Sequence, residues 1–162
     1  MILTNYQSLS EVKKKHPNKK IIYASGAFDL VHAGHILFFE DCKKLGDILV
    51  VGVASDAVIQ HNKKKDRPIL NQHIRIKTID SLKAVDYTIL NEIPDLNDLT
   101  NIFGYLQPII YAINEDAWNI PLREEISQKN GVQLVILERT CPPEFENIST
   151  TKIIEKIKRL SF

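Results

Sequence analysis

Cysteine is scarce in this chain, two among 162 residues, and Cys42 and Cys141 stand far apart with no CxxC spacing. That argues against a disulfide-stapled scaffold and a thiolate zinc site, and leaves reduced thiols, as in a cytoplasmic protein. Charge of one sign is also lacking. Twenty-one Lys and Arg against 20 Asp and Glu give a net charge of +1, which calls for neither nucleic acid nor an acidic membrane surface as partner. No apolar run approaches the roughly 20 residues that span a bilayer. The first residues, Met1 to Asn5, lack the basic and then apolar pattern of a secretion signal. There is no repeat, low-complexity tail or linker. With 44% hydrophobic and 25% charged residues, the chain is expected to form one domain over 1–162 with a substantial core.

Apolar runs and helical patterns alternate along the chain. Strands are predicted at Ile21–Ala24, Asp47–Val53, Asp86–Leu90, Ile109–Ile113 and Val132–Leu137, the second nearly all apolar, as in a strand covered on both faces. Helices are predicted from Leu9 to His16, from Ile36 to a cap near Gly46, and through Ile59 after Ser55 and Asp56. Others follow from Ile74 to Leu82, Asp95 to Tyr105, Leu122 to Lys129 and Ser149 to Leu160. The polar, basic segment from His61 to Leu70 reads as a loop. Five strands alternating with helices predict an α/β fold, a Rossmann-like, doubly wound parallel five-stranded sheet. Ligands of such sheets sit beyond the C-terminal strand ends.

The densest signal is Gly26-Ala27-Phe28-Asp29-Leu30-Val31-His32-Ala33-Gly34-His35, between the first strand and the helix after it. His32 and His35, three apart, fall on one side of a first helical turn. Gly26 and Gly34 remove side chains where something large approaches the backbone. A helix N-terminus offers unpaired N–H groups and a positive dipole end, and imidazoles there supply donors for charge developing on phosphate oxygens. The spacing points to a nucleotide site; the plainer alternative is a pair of ordinary helix-start histidines.

The decapeptide resembles the GxFDxxHxGH signature of the HxGH nucleotidyltransferase superfamily, which includes glycerol-3-phosphate cytidylyltransferase and the adenylyltransferase domain of ADP-heptose synthase. The resemblance runs over roughly residues 20–158. Lys63-Lys64-Lys65-Asp66-Arg67-Pro68-Ile69 resembles the K-x-x-x-R-P-[IV] loop of the heptose enzymes, which makes Lys63 the lysine expected at the phosphates, with Lys64 or Lys65 open to the same role. As plain sequence it is also a solvated basic loop. Ile148-Ser149-Thr150-Thr151-Lys152 resembles the family's [IV/Y]-S-[ST]-T motif, so Ser149, Thr150 and Thr151 are expected at the β- and γ-phosphates, unless they only cap a helix. Asp56 and Arg75 have counterparts in the family. Asp56 is expected near the acceptor or as a helix cap, and Arg75 on phosphate or paired with an acid.

What the resemblance implies is in-line transfer of a nucleoside monophosphate to a phosphorylated small molecule, with pyrophosphate leaving. His32, His35 and Lys63 are the catalytic candidates. Gly26, Ala27, Phe28, Gly34, Arg139, Ser149, Thr150 and Thr151 are expected at the nucleotide, and Asp29, Asp56, Arg75 and Asp116 at the acceptor. Mg²⁺ is expected bound through the phosphates, with no metal site of protein ligands. A homodimer is a family expectation. The base is read two ways. The Arg67-Pro68-Ile69 loop and Ile153-Ile154 resemble the ATP-using heptose enzymes, whereas Arg139-Thr140 with Glu146–Lys152 resembles the R-T-E-G-I-S-T-T-K of the CTP enzymes, here split by Cys141–Phe145 and with Asn147 for the glycine. Asn114-Glu115-Asp116-Ala117-Trp118 departs from both acceptor patterns. The first expectation is ATP with a sugar phosphate; the alternatives are CTP with a polyol phosphate, a flavin adenylyltransferase, and a silent nucleotide-binding module.

Overall fold

The computed structural model describes residues 1–62, 66–146 and 148–160. The elements in order are α1 (Gln7–Lys15), β1 (Ile21–Gly26), α2 (Ala33–Lys44), β2 (Ile48–Ala54), α3 (Asp56–Asn62), α4 (Gln72–Asp80), β3 (Tyr87–Asn91), α5 (Asp98–Leu106), β4 (Ile110–Asn114), α6 (Ile120–Lys129), β5 (Gln133–Leu137) and α7 (Thr150–Leu160). The five strands form one parallel sheet in the order β3-β2-β1-β4-β5, the Rossmann-like architecture expected.

Alternation along the strands builds a core on each face of the sheet. Ile21 and Tyr23 of β1 join Val50, Tyr111 and Ile113 under α1, α5 and α6, where Leu9, Val12, Ile102, Phe103 and Ile126 close the layer. Ile22 and Ala24 face the other way with Leu49, Val51 and Val53, against Phe38, Phe39 and Cys42 of α2 and Ile76 and Ile79 of α4. A strand buried on both sides has no polar face, which is why β1 and β2 read as unbroken apolar runs.

Strand order reverses at β1. Chain growth goes outward through β2 and β3, then returns to place β4 on the other side of β1. The connections leaving β1 and β4 therefore diverge, and a crevice opens at the C-terminal ends of these two strands. That is where the decapeptide lies.

Two local expectations change. α3 runs on to Asn62 rather than ending at Ile59, because Gln60, His61 and Asn62 complete a turn without any apolar signal. α2 ends with Leu45 in the right-handed region at its C-cap. Gly46 instead serves close packing: a Cβ there would overlap Ile22 Cδ1 and lie 2.9 Å from the Lys20 carbonyl oxygen. Among the described residues no helix is long and apolar enough to cross a membrane.

Candidate active site

The site starts from backbone conformation. Phe28 and Leu30 adopt φ of 48° and 52°, the left-handed region that L side chains rarely occupy, on either side of Asp29. These two reversals turn the Asp29 carboxylate inward, where it is 2% exposed. Oδ2 accepts from Ile69 N at 2.8 Å, Oδ1 accepts from Leu70 N at 3.0 Å, and Arg67 Nε stands 3.1 Å from Oδ2. The loop that follows the basic run is thus latched onto the decapeptide. Asp29 was expected at the substrate; its carboxylate is engaged by the protein's own loop.

His32 is the N-cap of α2. Its Nδ1 accepts from Gly34 N at 3.1 Å, and His35 Nδ1 accepts from His32 N at 3.4 Å, a reciprocal capping box made of two imidazoles. An Nδ1 that accepts carries no proton, so both rings hold their proton on Nε2. The ring centroids are 4.0 Å apart. Burial, with Arg139 nearby, lowers the His32 pKa. Burial, then His32 and Arg139, pull His35 down to about 4. At neutral pH the pair is therefore two uncharged Nε2–H donors. Phe28 packs edge-on against His35, with centroids 5.6 Å apart.

The glycines also set the packing of the turn itself. A Cβ on Gly26 would lie 2.8 Å from the Phe28 ring, and one on Gly34 would lie 3.0 Å from the His32 ring. The room they leave is filled by the turn's own side chains, which sets the ring positions.

Above the turn lies the start of α7. Thr150 Oγ1 donates to the Asp29 carbonyl oxygen at 2.6 Å. Through that bond Thr150 ties α7 to the turn. Ser149 Oγ accepts from Lys152 N at 3.3 Å and keeps its own proton free to donate. Thr151 is exposed.

A cavity of about 540 Å³ joins these parts, walled on one side by Ala27, Gly34, the histidines and Ser149 and on the other by the ends of β3 and β4. Arg139 and Asp116 both line it and form an ion pair, with Arg139 N also donating to Glu115 Oε1 at 3.2 Å. Arg75 does not reach it. It is fully buried and donates from Nε to Leu70 O, from Nη1 to Ala27 O at 2.6 Å and from Nη2 to Asp56 Oδ1 at 2.7 Å. Of its two expected roles the geometry shows the ion pair: Arg75 and Asp56 brace the turn from behind, and the helix-cap role falls to Ser55, whose Oγ accepts from Val58 N. Lys63, Lys64, Lys65 and Asn147 lie outside the described residues.

The wall also carries residues that no sequence pattern singled out, among them Arg67, Asn91 and Arg123. Arg67 lies inside the Lys63–Ile69 motif, which carries no local sign of its pairing with Asp29. Asn91, whose side chain bonds the Tyr23 hydroxyl, and Arg123, in the first turn of α6, carry no motif at all.

A family model described as cytidylyltransferase-like matches residues 23–156, and the chain belongs to that family. It is a nucleotidyltransferase. It is 35% identical over 148 residues to the FAD synthase of Ferroglobus placidus, covering 88% of this chain and 90% of that protein. It is 35% identical over 152 residues to the bifunctional protein HldE of Helicobacter pylori, where the match takes 94% of this chain and 31% of the relative. Among solved structures, a lipopolysaccharide core biosynthesis protein from Thermoplasma volcanium GSS1 superposes with a TM-score of 0.64 at 32% identity, over 76% of this chain and 98% of that one. A pantoate-beta-alanine ligase from Francisella tularensis, at 15% identity and a TM-score of 0.65, shares the fold.

Proposed function

We propose that this chain transfers AMP from ATP to the phosphate of a sugar-like acceptor, releasing pyrophosphate. The observation that carries the reading is the pair of neutral Nε2–H donors, His32 and His35, on the wall of a cavity at the strand-order switch. An acceptor phosphate oxygen attacks the α-phosphorus. The new P–O bond forms as the bond to the β-phosphate oxygen breaks, and the electron pair leaves with pyrophosphate. A phosphate acceptor is already deprotonated at neutral pH, so no general base is needed, and catalysis is positioning plus stabilisation of charge on the phosphate oxygens. The histidines supply preorganised donors for that charge, and Ser149 adds a hydroxyl. Lys63 is proposed to bring positive charge to the same oxygens.

Mg²⁺ fits this site as an ion carried by the triphosphate. Among the described residues no group of three His, Cys, Asp or Glu side chains is placed to hold a metal. Asp29 and Asp116, the carboxylates nearest the turn and Arg139, are held by Arg67 with two amides and by Arg139. Bound to phosphates, the ion would neutralise part of their charge.

Two features favour adenine over cytosine. Arg139, the side chain that a cytosine site would use, is already paired with Asp116. The FAD synthases name a product that contains adenine. A sugar-like acceptor is supported by a similar structure named for lipopolysaccharide core biosynthesis. A flavin phosphate is the second reading, favoured by the near full-length match to the FAD synthases. The test is a matrix of four nucleoside triphosphates against a hexose or heptose 1-phosphate, glycerol 3-phosphate and FMN, read as pyrophosphate with Mg²⁺ present. ATP with a sugar phosphate is expected to lead; CTP with glycerol 3-phosphate in front would replace this reading.

A further inference from the structure

The reaction brings a second phosphate dianion against a triphosphate, and two such anions repel strongly wherever water is thinned out. Positive charge on the acceptor side is therefore required. The histidines do not supply it, because both are neutral at pH 7. Three arginines line the cavity. Arg67 is paired with Asp29 and Arg139 with Asp116. Arg123 makes no ion pair among the described residues.

Arg123 is nevertheless held firmly. Its Nε donates to the Trp118 carbonyl oxygen at 2.8 Å, its Nη1 donates to the Tyr111 hydroxyl, and the guanidinium lies over the Tyr111 ring with its carbon 5.9 Å from the centroid. Tyr111 is fully buried, and burial raises its pKa, so it remains a neutral phenol. The Tyr111 hydroxyl in turn bonds Ser25 Oγ at 2.9 Å, and Ser25 immediately precedes Gly26 at the head of the decapeptide. The partners of Arg123 are thus neutral oxygens, which leave its charge uncancelled, and they connect it through one phenol and one hydroxyl to the start of the catalytic turn. Nη2 has no acceptor among the described residues. The carboxylates on the same wall are held elsewhere: Asp98 accepts from Tyr6 and Asn101, and Asp95 accepts from Asn97.

We propose that Arg123 is the acceptor-recognition residue: its guanidinium receives the phosphate of the acceptor on the β4–α6 side of the cavity, opposite the two histidines. It rests on the adenylyltransferase reading for the identity of the reaction, but not for the binding it asserts. A planar fork fixed at two nitrogens loses little freedom on meeting a phosphate, so its contribution goes to orienting the attacking group.

The experiment measures binding without turnover. The full chain is saturated with Mg²⁺ and a non-hydrolysable α,β-methylene ATP, then titrated with glucose 1-phosphate, FMN and, as the uncharged control, glucose. Heteronuclear NMR follows the Arg123 Nε–H signal. At least one phosphorylated probe is expected to bind saturably and shift that signal. The R123A variant should weaken that probe by about 10- to 100-fold, R123K should recover part of the loss, and affinity for the nucleotide analogue should change less than about two-fold. Equal probe affinity in wild type and R123A overturns the assignment, and so does the absence of any Arg123-dependent phosphate binding. Nucleotide affinity that falls with R123A makes Arg123 a structural support and overturns it as well. A chain that binds phosphate through Arg123 yet releases no pyrophosphate refutes the proposed reaction and leaves this site standing.

Discussion

His32 and His35 hold each other through the backbone: His35 Nδ1 accepts the amide proton of His32, while His32 Nδ1 caps the helix that carries His35. The pair is one unit, with the tautomer of both rings set by the fold. Removing either ring should lower turnover by about 10²–10³-fold in a protein that still folds, because a preorganised donor is lost. The double variant His32→Ala/His35→Ala should cost much less than the product of the two single losses. Pyrophosphate release by the three variants, with thermal melts as control, decides this; full activity in either single variant would remove the histidines from the chemistry.

The depressed His35 pKa makes stability depend on pH. In the folded protein the ring stays neutral down to about 4, whereas in the unfolded chain it takes up a proton near 6.5. Protons then bind the unfolded state preferentially between those values, so stability is full above pH 6.5, falls as pH drops towards 4, and gains no further slope from this group below it. Urea midpoints across that range should show a smaller decline in His35→Ala than in wild type. An unchanged slope would mean that the ring titrates normally.

Asp29 is predicted to matter for stability before it matters for chemistry. Asp29→Ala leaves the Arg67 guanidinium, 18% exposed, without its carboxylate and frees two amides, and should cost about 3–5 kcal/mol. Thr150→Val removes one neutral hydrogen bond to the Asp29 carbonyl and should cost about 1 kcal/mol. Denaturant melts separate the two, and protease should cut faster between Asp66 and Leu70 in Asp29→Ala only.

How much of this was legible in the chain differs between fold and site. All five strands fall within two residues of where apolar runs placed them; in β1 and β2 the run is continuous because both faces are covered, whereas β5, with Gln133 and Ile136 exposed, is not covered on both. The turn was legible because its histidines, glycines and helix start lie within ten residues. What was not legible are the pairings across the fold: Asp29 with Arg67, Asp56 with Arg75, and Asp116 with Arg139, 38, 19 and 23 residues apart. A charged residue carries no local sign of which partner it will meet. Three side chains assigned to substrate, Asp29, Asp56 and Arg75, turned out to meet one another's loops for that reason.

The Arg139–Asp116 pair leads to a prediction about base choice. If adenine is read mainly by backbone groups, Arg139→Ala should leave the ratio of ATP to CTP turnover within about three-fold of wild type. A cytosine site built on that side chain would lose discrimination by as much as ~10⁴-fold. Competition between the two nucleotides in one reaction reads the ratio directly.

In the proposed reaction the α-phosphoryl group of ATP moves to an acceptor phosphate. Its most direct test is label tracing: the wild-type chain, Mg²⁺ and a sugar 1-phosphate are incubated with ATP labelled at the α- or at the γ-phosphorus, and the products are separated. The α-label is expected in a product in which AMP is joined to the acceptor through a new phosphoric anhydride, and the γ-label only in pyrophosphate. Transfer of the γ-label to the acceptor, or incorporation of label from CTP with none from ATP, would contradict the proposed reaction.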